Sequence, residues 1–260
     1  MNIYVDSKMT DDARRKEIYR GSIYTFSPSP SALQLCQLAK ELIREAFGPL
    51  DPISVHEKLP ADECARILAV LKPKFIHHPK SKELIAEMLR ESGCDLAKTY
   101  FDVPRMRTAF PGDYLKSGVA YAFHPHRDTW YSAPFCQINW WMPVFDLTPE
   151  NCMAIHPQYW AKPLKNGSSQ YNYHKWNLES RHNAALHVKT DTRVQPHAEE
   201  PVEIDPQIRL VCNVGGVYLF SAAMGDYLKG TDLSHLPKEA IALYLDGTES
   251  QYAQPVSTPR

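Results

Sequence analysis

Apolar positions in the first third of the chain return at three- and four-residue steps. In SALQLCQLAKELIREAFG, Leu35, Leu38, Ala39, Leu42, Ile43 and Ala46 fall on one face, and Gly48 with Pro49 stop the run. That spacing predicts an amphipathic helix. ADECARILAVLKP repeats the pattern with Ala65, Leu68 and Leu71. SKELIAEMLRESG repeats it again with Leu84, Ile85, Met88 and Leu89, ahead of Gly93. Residues 1–30 are polar and close on SPSP, which predicts a turn-rich start. Residues 1–94 therefore read as a mostly helical part.

From about residue 95 the pattern changes to short β-rich runs broken by Pro, Gly and Asn: AKTYFDV, GVAYAFH, FCQINWWMPVF, CMAIH, IRLVCNV and GVYLFSA. Short strands after a helical block predict a sheet sandwich or barrel with helices packed outside it. The polar stretch from about 157 to 207 is long for a connection in a compact domain, and its aromatics and histidines predict a lid. The divisions expected are a helical part (1–94), a β core (95–225) and a divergent tail (226–260), all within one domain. In the tail, LPKEAIALYLDG reads as a short helix capped near Ser234, with Ala240, Leu243 and Tyr244 on one face.

Composition narrows the function classes. The chain has 260 residues, 43% hydrophobic and 23% charged, with a formal net charge of −1. That is ordinary for a globular protein with a sizeable core, and no basic field points to nucleic acid or anionic lipid. No apolar run approaches the ~18 residues of a membrane span. The N-terminal MNIYVDSKMTDDARRKE lacks the apolar core of a signal peptide. The six cysteines are scattered singly without a C-x-x-C pair, which fits reduced thiols and a cytoplasmic location. Eleven histidines hint at metal or proton chemistry.

The strongest chemical pattern lies in YAFHPHRDTWY, residues 121–131. On an extended strand, side chains i and i+2 share a face. His126 and Asp128 would then converge, with Arg127 turned away. An imidazole nitrogen with a carboxylate oxygen suits a divalent first-row metal such as Fe(II), and a further histidine would complete a facial triad with open positions. His-x-Asp is a short motif that also arises by chance. His124 has the same parity, but it lies one pleat further in, behind Pro125, and reads as a packed histidine. A cupin-like site using His124, His126 and Asp128 locally is a further possibility.

The run HPHRDTWYSAPFCQINWWMPVFDLTPENC resembles the phytanoyl-CoA-hydroxylase-like branch of the Fe(II)/2-oxoglutarate dioxygenases. His126 and Asp128 match the first two iron ligands of that family. Trp140, Asp146, Thr148, Glu150 and Asn151 fit its strand-turn-strand pattern, with Cys152 where Gly is usual. VGGVYLFSAA resembles the strand that precedes the distal ligand. The resemblance covers roughly residues 95–225. It implies a double-stranded β-helix (a jelly roll, cupin-like) with Fe(II) and 2-oxoglutarate at one mouth. The implied reaction couples O2 and 2-oxoglutarate to oxidation of a C–H bond of a small molecule, with release of succinate and CO2. Within the branch, the resemblance runs towards members associated with bacterial secondary metabolism.

After LFSAA the family pattern calls for a His, the third ligand, and then an Arg for the distal carboxylate of 2-oxoglutarate. Asp226 occupies the ligand position, and no Arg occurs between Arg209 and Arg260. Three readings stay open. Asp226 or His235 replaces the ligand and Lys229 or Lys238 the Arg; or the fold is degenerate and serves as a small-molecule binding module; or the tail is foreign to the fold. His187 and His197 are weaker candidate ligands, and His156 reads as structural. Along FCQINWW, the resemblance places Trp140 near the cosubstrate, so Ile138 and Trp140 would face inward. Gln137 would reach a ligand only if the opposite face lies inside. Thr129, Trp130 and Tyr131 would shape the mouth. Arg105 and Arg107 could grip a carboxylate, with surface salt bridges as the plainer role.

Overall fold

The chain opens on a strand. β1 (Ile3–Val5) pairs in parallel with β2 (Ile23–Phe26), and α1 (Asp11–Ile18) joins them. The turn-rich start expected for residues 1–30 is thus replaced by regular structure. Its charges do not prevent this, because Arg14 and Arg15 are buried and both pair with Asp11. The computed structural model describes residues 1–110, 114, 125–180, 186–188, 190 and 193–224, with the backbone alone of Asp226–Leu228 and Ala242–Ser250. The expected strand GVAYAFH and His124 lie outside the described residues, as do Lys229, His235 and Lys238.

Three helices follow where the apolar spacing puts them: α2 (Pro30–Phe47), α3 (Ala61–Ile76) and α4 (Pro79–Glu91). Ser29 caps α2, its hydroxyl accepting from the Ala32 amide at 3.3 Å. Gly48 ends that helix at φ 60°, in the left-handed region where a side chain is disfavoured. The Glu91 carboxylate accepts from the hydroxyls of Ser29 and Ser31, which ties the end of α4 to the start of α2.

The β part begins with β3 (Tyr100–Phe101) and β4 (Arg105–Ala109). β3 lies in the predicted run AKTYFDV, and β5 (Ile138–Pro143), β6 (Met153–Ile155), β7 (Ile208–Leu210) and β8 (Val217–Ser221) coincide with four more. β9 (Asp226–Leu228) and β10 (Ala242–Ser250) come from the tail. The large sheet runs β1-β2-β8-β5-β10, and β10 then pairs with both β3 and β4. The small sheet runs β7-β6-β9.

The tail is the largest departure from expectation. Residues 242–250 form a strand inside the large sheet, not a helix, antiparallel to β5 on one side and to β4 on the other. Local spacing of Leu243 and Tyr244 fits a helix, but β4 and β5 offer the segment a ladder on each side, and tertiary pairing overrides propensity. With β9 paired to β6, the tail contributes to both sheets.

Each face of the large sheet has its own core. Ile138, Trp140, Met142, Val217, Leu219 and Met106 pack with Leu35, Ile43, Leu68 and Ile85 of the helices. Trp141, Tyr218 and Phe220 point the other way and cluster with Met153, Ile155 and Leu210 of the small sheet. β5 is buried along its whole length because both faces are covered. Among the described residues, no helix is long and apolar enough to cross a membrane.

Candidate metal centre

Arg127 has extended backbone angles, φ −120° and ψ 138°, and so places its two neighbours on a common side. His126 Nε2 stands 3.5 Å from Asp128 Oδ1. Two ligands in cis positions on an ion with bonds of ~2.1 Å lie about 3 Å apart, so this pair fits the bite of one metal. The strand ends here. Asp128–Tyr131 is a single 3-10 turn, closed by Ser132 at φ 65°.

The turn is fastened to the end of the large sheet. The Thr129 amide donates to the Ala222 carbonyl at 3.3 Å, and the Ala222 amide donates to the Gln137 carbonyl at 3.0 Å. From β5, the side chain of Asn139, 1% exposed, donates through Nδ2 to Asp128 Oδ2. Gln137 Nε2 donates in turn to Asn139 Oδ1 at 3.0 Å. Burial alone would raise the Asp128 carboxyl. The hydrogen bond and charge of His126, the Asn139 amide and the charge of Arg107 outweigh it and hold the group below the ordinary carboxylate range. At neutral pH it is an anion, as a metal ligand must be.

Aromatic side chains cover this pair. The Tyr131 ring meets His126 edge-on at 5.5 Å, Tyr171 meets Tyr131 at 5.6 Å, and Trp176 lies 5.9 Å beyond. Arg193 caps the row, 4.7 Å over Trp176. The Tyr131 hydroxyl donates to the Pro196 carbonyl at 3.2 Å. The stretch expected to be a lid therefore does lie against the candidate centre. Arg127 reaches the same stretch from behind, donating through Nη2 to the carbonyls of Tyr159 and Lys162. A cleft beside His126 is lined by Arg127, Trp130, His156, Tyr159 and Leu164.

The other sequence candidates separate. Trp140 does not face the centre. It packs on the helical side with Ile138, while Gln137, Asn139 and Trp141 share the opposite face. A shift of one residue along a strand exchanges the faces, and the tryptophan between the sheets is Trp141, stacked on Tyr218 at 5.3 Å. Gln137 is on the site face. His197 is exposed, its Nδ1 at 3.2 Å from the Gln195 carbonyl, and His156 is buried in the cleft wall. Arg105 pairs with Asp102 at 2.9 Å. Asp226 lies in β9 opposite Ile155, and its side chain is outside the described residues. Among the described residues, no third His, Cys, Asp or Glu joins His126 and Asp128. Sequence reasoning passed over Asn139, although an amide in the middle of an apolar strand signals a buried partner.

No protein-family model and no curated protein matches the chain. Solved structures do resemble it. EvdO2 from Micromonospora carbonacea var. aurantiaca, complexed with 2-oxoglutarate, is 14% identical, over 98% of this chain and 97% of its own, with a TM-score of 0.49. AviO1 from Streptomyces viridochromogenes is 12% identical, over 97% and 99%, at 0.43. The epimerase SnoN, in complex with Fe3+, alpha ketoglutarate and nogalamycin RO, is 11% identical, over 96% and 93%, at 0.44. These are likenesses of distant proteins, and the function proposed below rests on the side chains of this chain.

Proposed function

We propose that the chain is a jelly-roll, non-haem Fe(II)/2-oxoglutarate-dependent oxygenase related to the phytanoyl-CoA-hydroxylase-like branch, oxidising a C–H bond of a small molecule. The observation that carries this reading is the convergence of His126 Nε2 and ionised Asp128 Oδ1 at 3.5 Å, at the end of the large sheet and beneath aromatic side chains. His126 and Asp128 would hold the iron, with Asp226 of β9 as the third ligand. Bound Fe(II), with 2-oxoglutarate and O2, supplies the oxidising power for an unactivated C–H bond. The protein contributes placement and dryness. Tyr131, Tyr171 and Trp176 limit access of water, and Gln137 presents an amide on the site face for the cosubstrate.

A second reading is a binding module of the same fold without catalysis. It is favoured by the incomplete ligand set among the described residues and by the lack of any Arg between Arg209 and Arg260. Anaerobic reconstitution with Fe(II), then 2-oxoglutarate, separates the two. The oxygenase shows a weak visible charge-transfer band and forms succinate in air, and His126→Ala loses both. Neither band nor succinate from the intact chain leaves the binding module.

A further inference from the structure

Asp128 has two carboxylate oxygens, and they have different neighbours. Oδ1 faces His126, while Oδ2 accepts from Asn139 Nδ2. The chemistry fixes the direction of this bond. An ionised carboxylate only accepts, so Asn139 must present its NH2. Its carbonyl oxygen is then left facing along β5, where Gln137 Nε2 donates to it. Gln137 is itself set by the sheet, because its carbonyl accepts from Ala222, whose own carbonyl holds Thr129 beside Asp128. The path closes into a ring through Asp128, Asn139, Gln137, Ala222 and Thr129. Two side-chain amides, Asn139 in β5 and Gln137 just before it, thereby hold a carboxylate that sits on a different segment.

We infer that Asn139, oriented by Gln137, is a positioning residue that keeps Asp128 turned so that it offers a metal a single oxygen. This rests on the metal-binding reading above. Partners of this kind around metal ligands typically change affinity by about 10- to 100-fold when removed.

The test uses Co(II) alone, titrated into the full chain under argon at pH 8 and followed by its visible d–d absorption. The comparison is between the native chain, His126→Ala, Asn139→Leu and Gln137→Glu, each checked for a native circular dichroism spectrum. Asn139→Leu keeps the volume and removes the bond; the expected loss is tenfold or more in affinity, with an altered band as Asp128 turns. Gln137→Glu is the sharper variant. The introduced carboxylate only accepts, so it competes for the Asn139 NH2 and turns the amide carbonyl towards Asp128. Affinity then falls although a negative charge has been brought towards a cation, which is opposite in sign to the simple electrostatic effect. Affinity within twofold of native in Asn139→Leu, or unchanged or tighter binding in Gln137→Glu, overturns the inference while metal binding stands. Native protein that binds Co(II) no better than His126→Ala overturns both.

Discussion

Removing β10, by ending the chain at residue 241, is expected to abolish cooperative folding. The strand meets β5 at six residue pairs, from Tyr244 to Glu249, and β4 at five, from Ala242 to Asp246. An antiparallel ladder averages one hydrogen bond per pair, and each contributes about 0.5–1.5 kcal/mol net. The ladder alone therefore contributes on the order of 10 kcal/mol. That is comparable with the whole stability of a domain, about 5–15 kcal/mol. The loss also bares β4 and one edge of β5, and β5 carries the Asn139 side chain and follows directly on Gln137, so the candidate centre fails with the fold. Urea unfolding, followed by tryptophan fluorescence, checks this against the full chain. A shortened chain with the native midpoint and slope would refute the placement of residues 242–250 inside the large sheet and return the tail to an appendage.

Asp128→Ala, like His126→Ala, is expected to reduce succinate formation to background, because either change removes one of the two proposed ligands; succinate assays of both variants check it. Trp140→Ala empties a site 2% exposed on the helical side and should cost about 3–5 kcal/mol in urea denaturation while leaving the 2-oxoglutarate band in the folded protein. Trp141→Ala, between the sheets, should disturb that band as well as stability. Burial pushes the imidazoles of His156 and His56 below their ordinary range, so both are neutral in the fold where the unfolded chain, at about 6.5, begins to take up protons. The contribution of these two histidines should be flat above that pH and fall below it, towards the depressed folded values. Urea midpoints at pH 7.5 and 5.5 read the fall, and His156→Leu should lessen it; equal midpoints at both pH values would contradict the assignment.

The helices were legible because a 3.6-residue pattern is local, and Gly48 and Gly93 mark the ends of α2 and α4, whereas α3 runs through Pro73 to Ile76. Five strands of the β core, β3 and β5 to β8, were legible as β-rich runs for the same reason. What escaped depends on distant partners. β1 and β2 are short and polar-flanked, and they become strands only because β8 offers an edge to β2. β10 has a helical spacing that two flanking strands override. The pair His126 and Asp128 was readable from one extended residue between them, and their convergence follows from Arg127 alone. The face of β5 was not readable, because a period of two leaves the choice between Trp140 and Trp141 to whichever side the helices cover.

Arg127 carries two duties at once. Its backbone sets the spacing of His126 and Asp128, and its guanidinium grips the carbonyls of Tyr159 and Lys162, where the covering stretch begins. The near end of that cover is therefore bolted to the His126–Asp128 segment. Any movement of that stretch that keeps these two hydrogen bonds must pivot beyond residue 162, or else pull on the segment that carries His126 and Asp128.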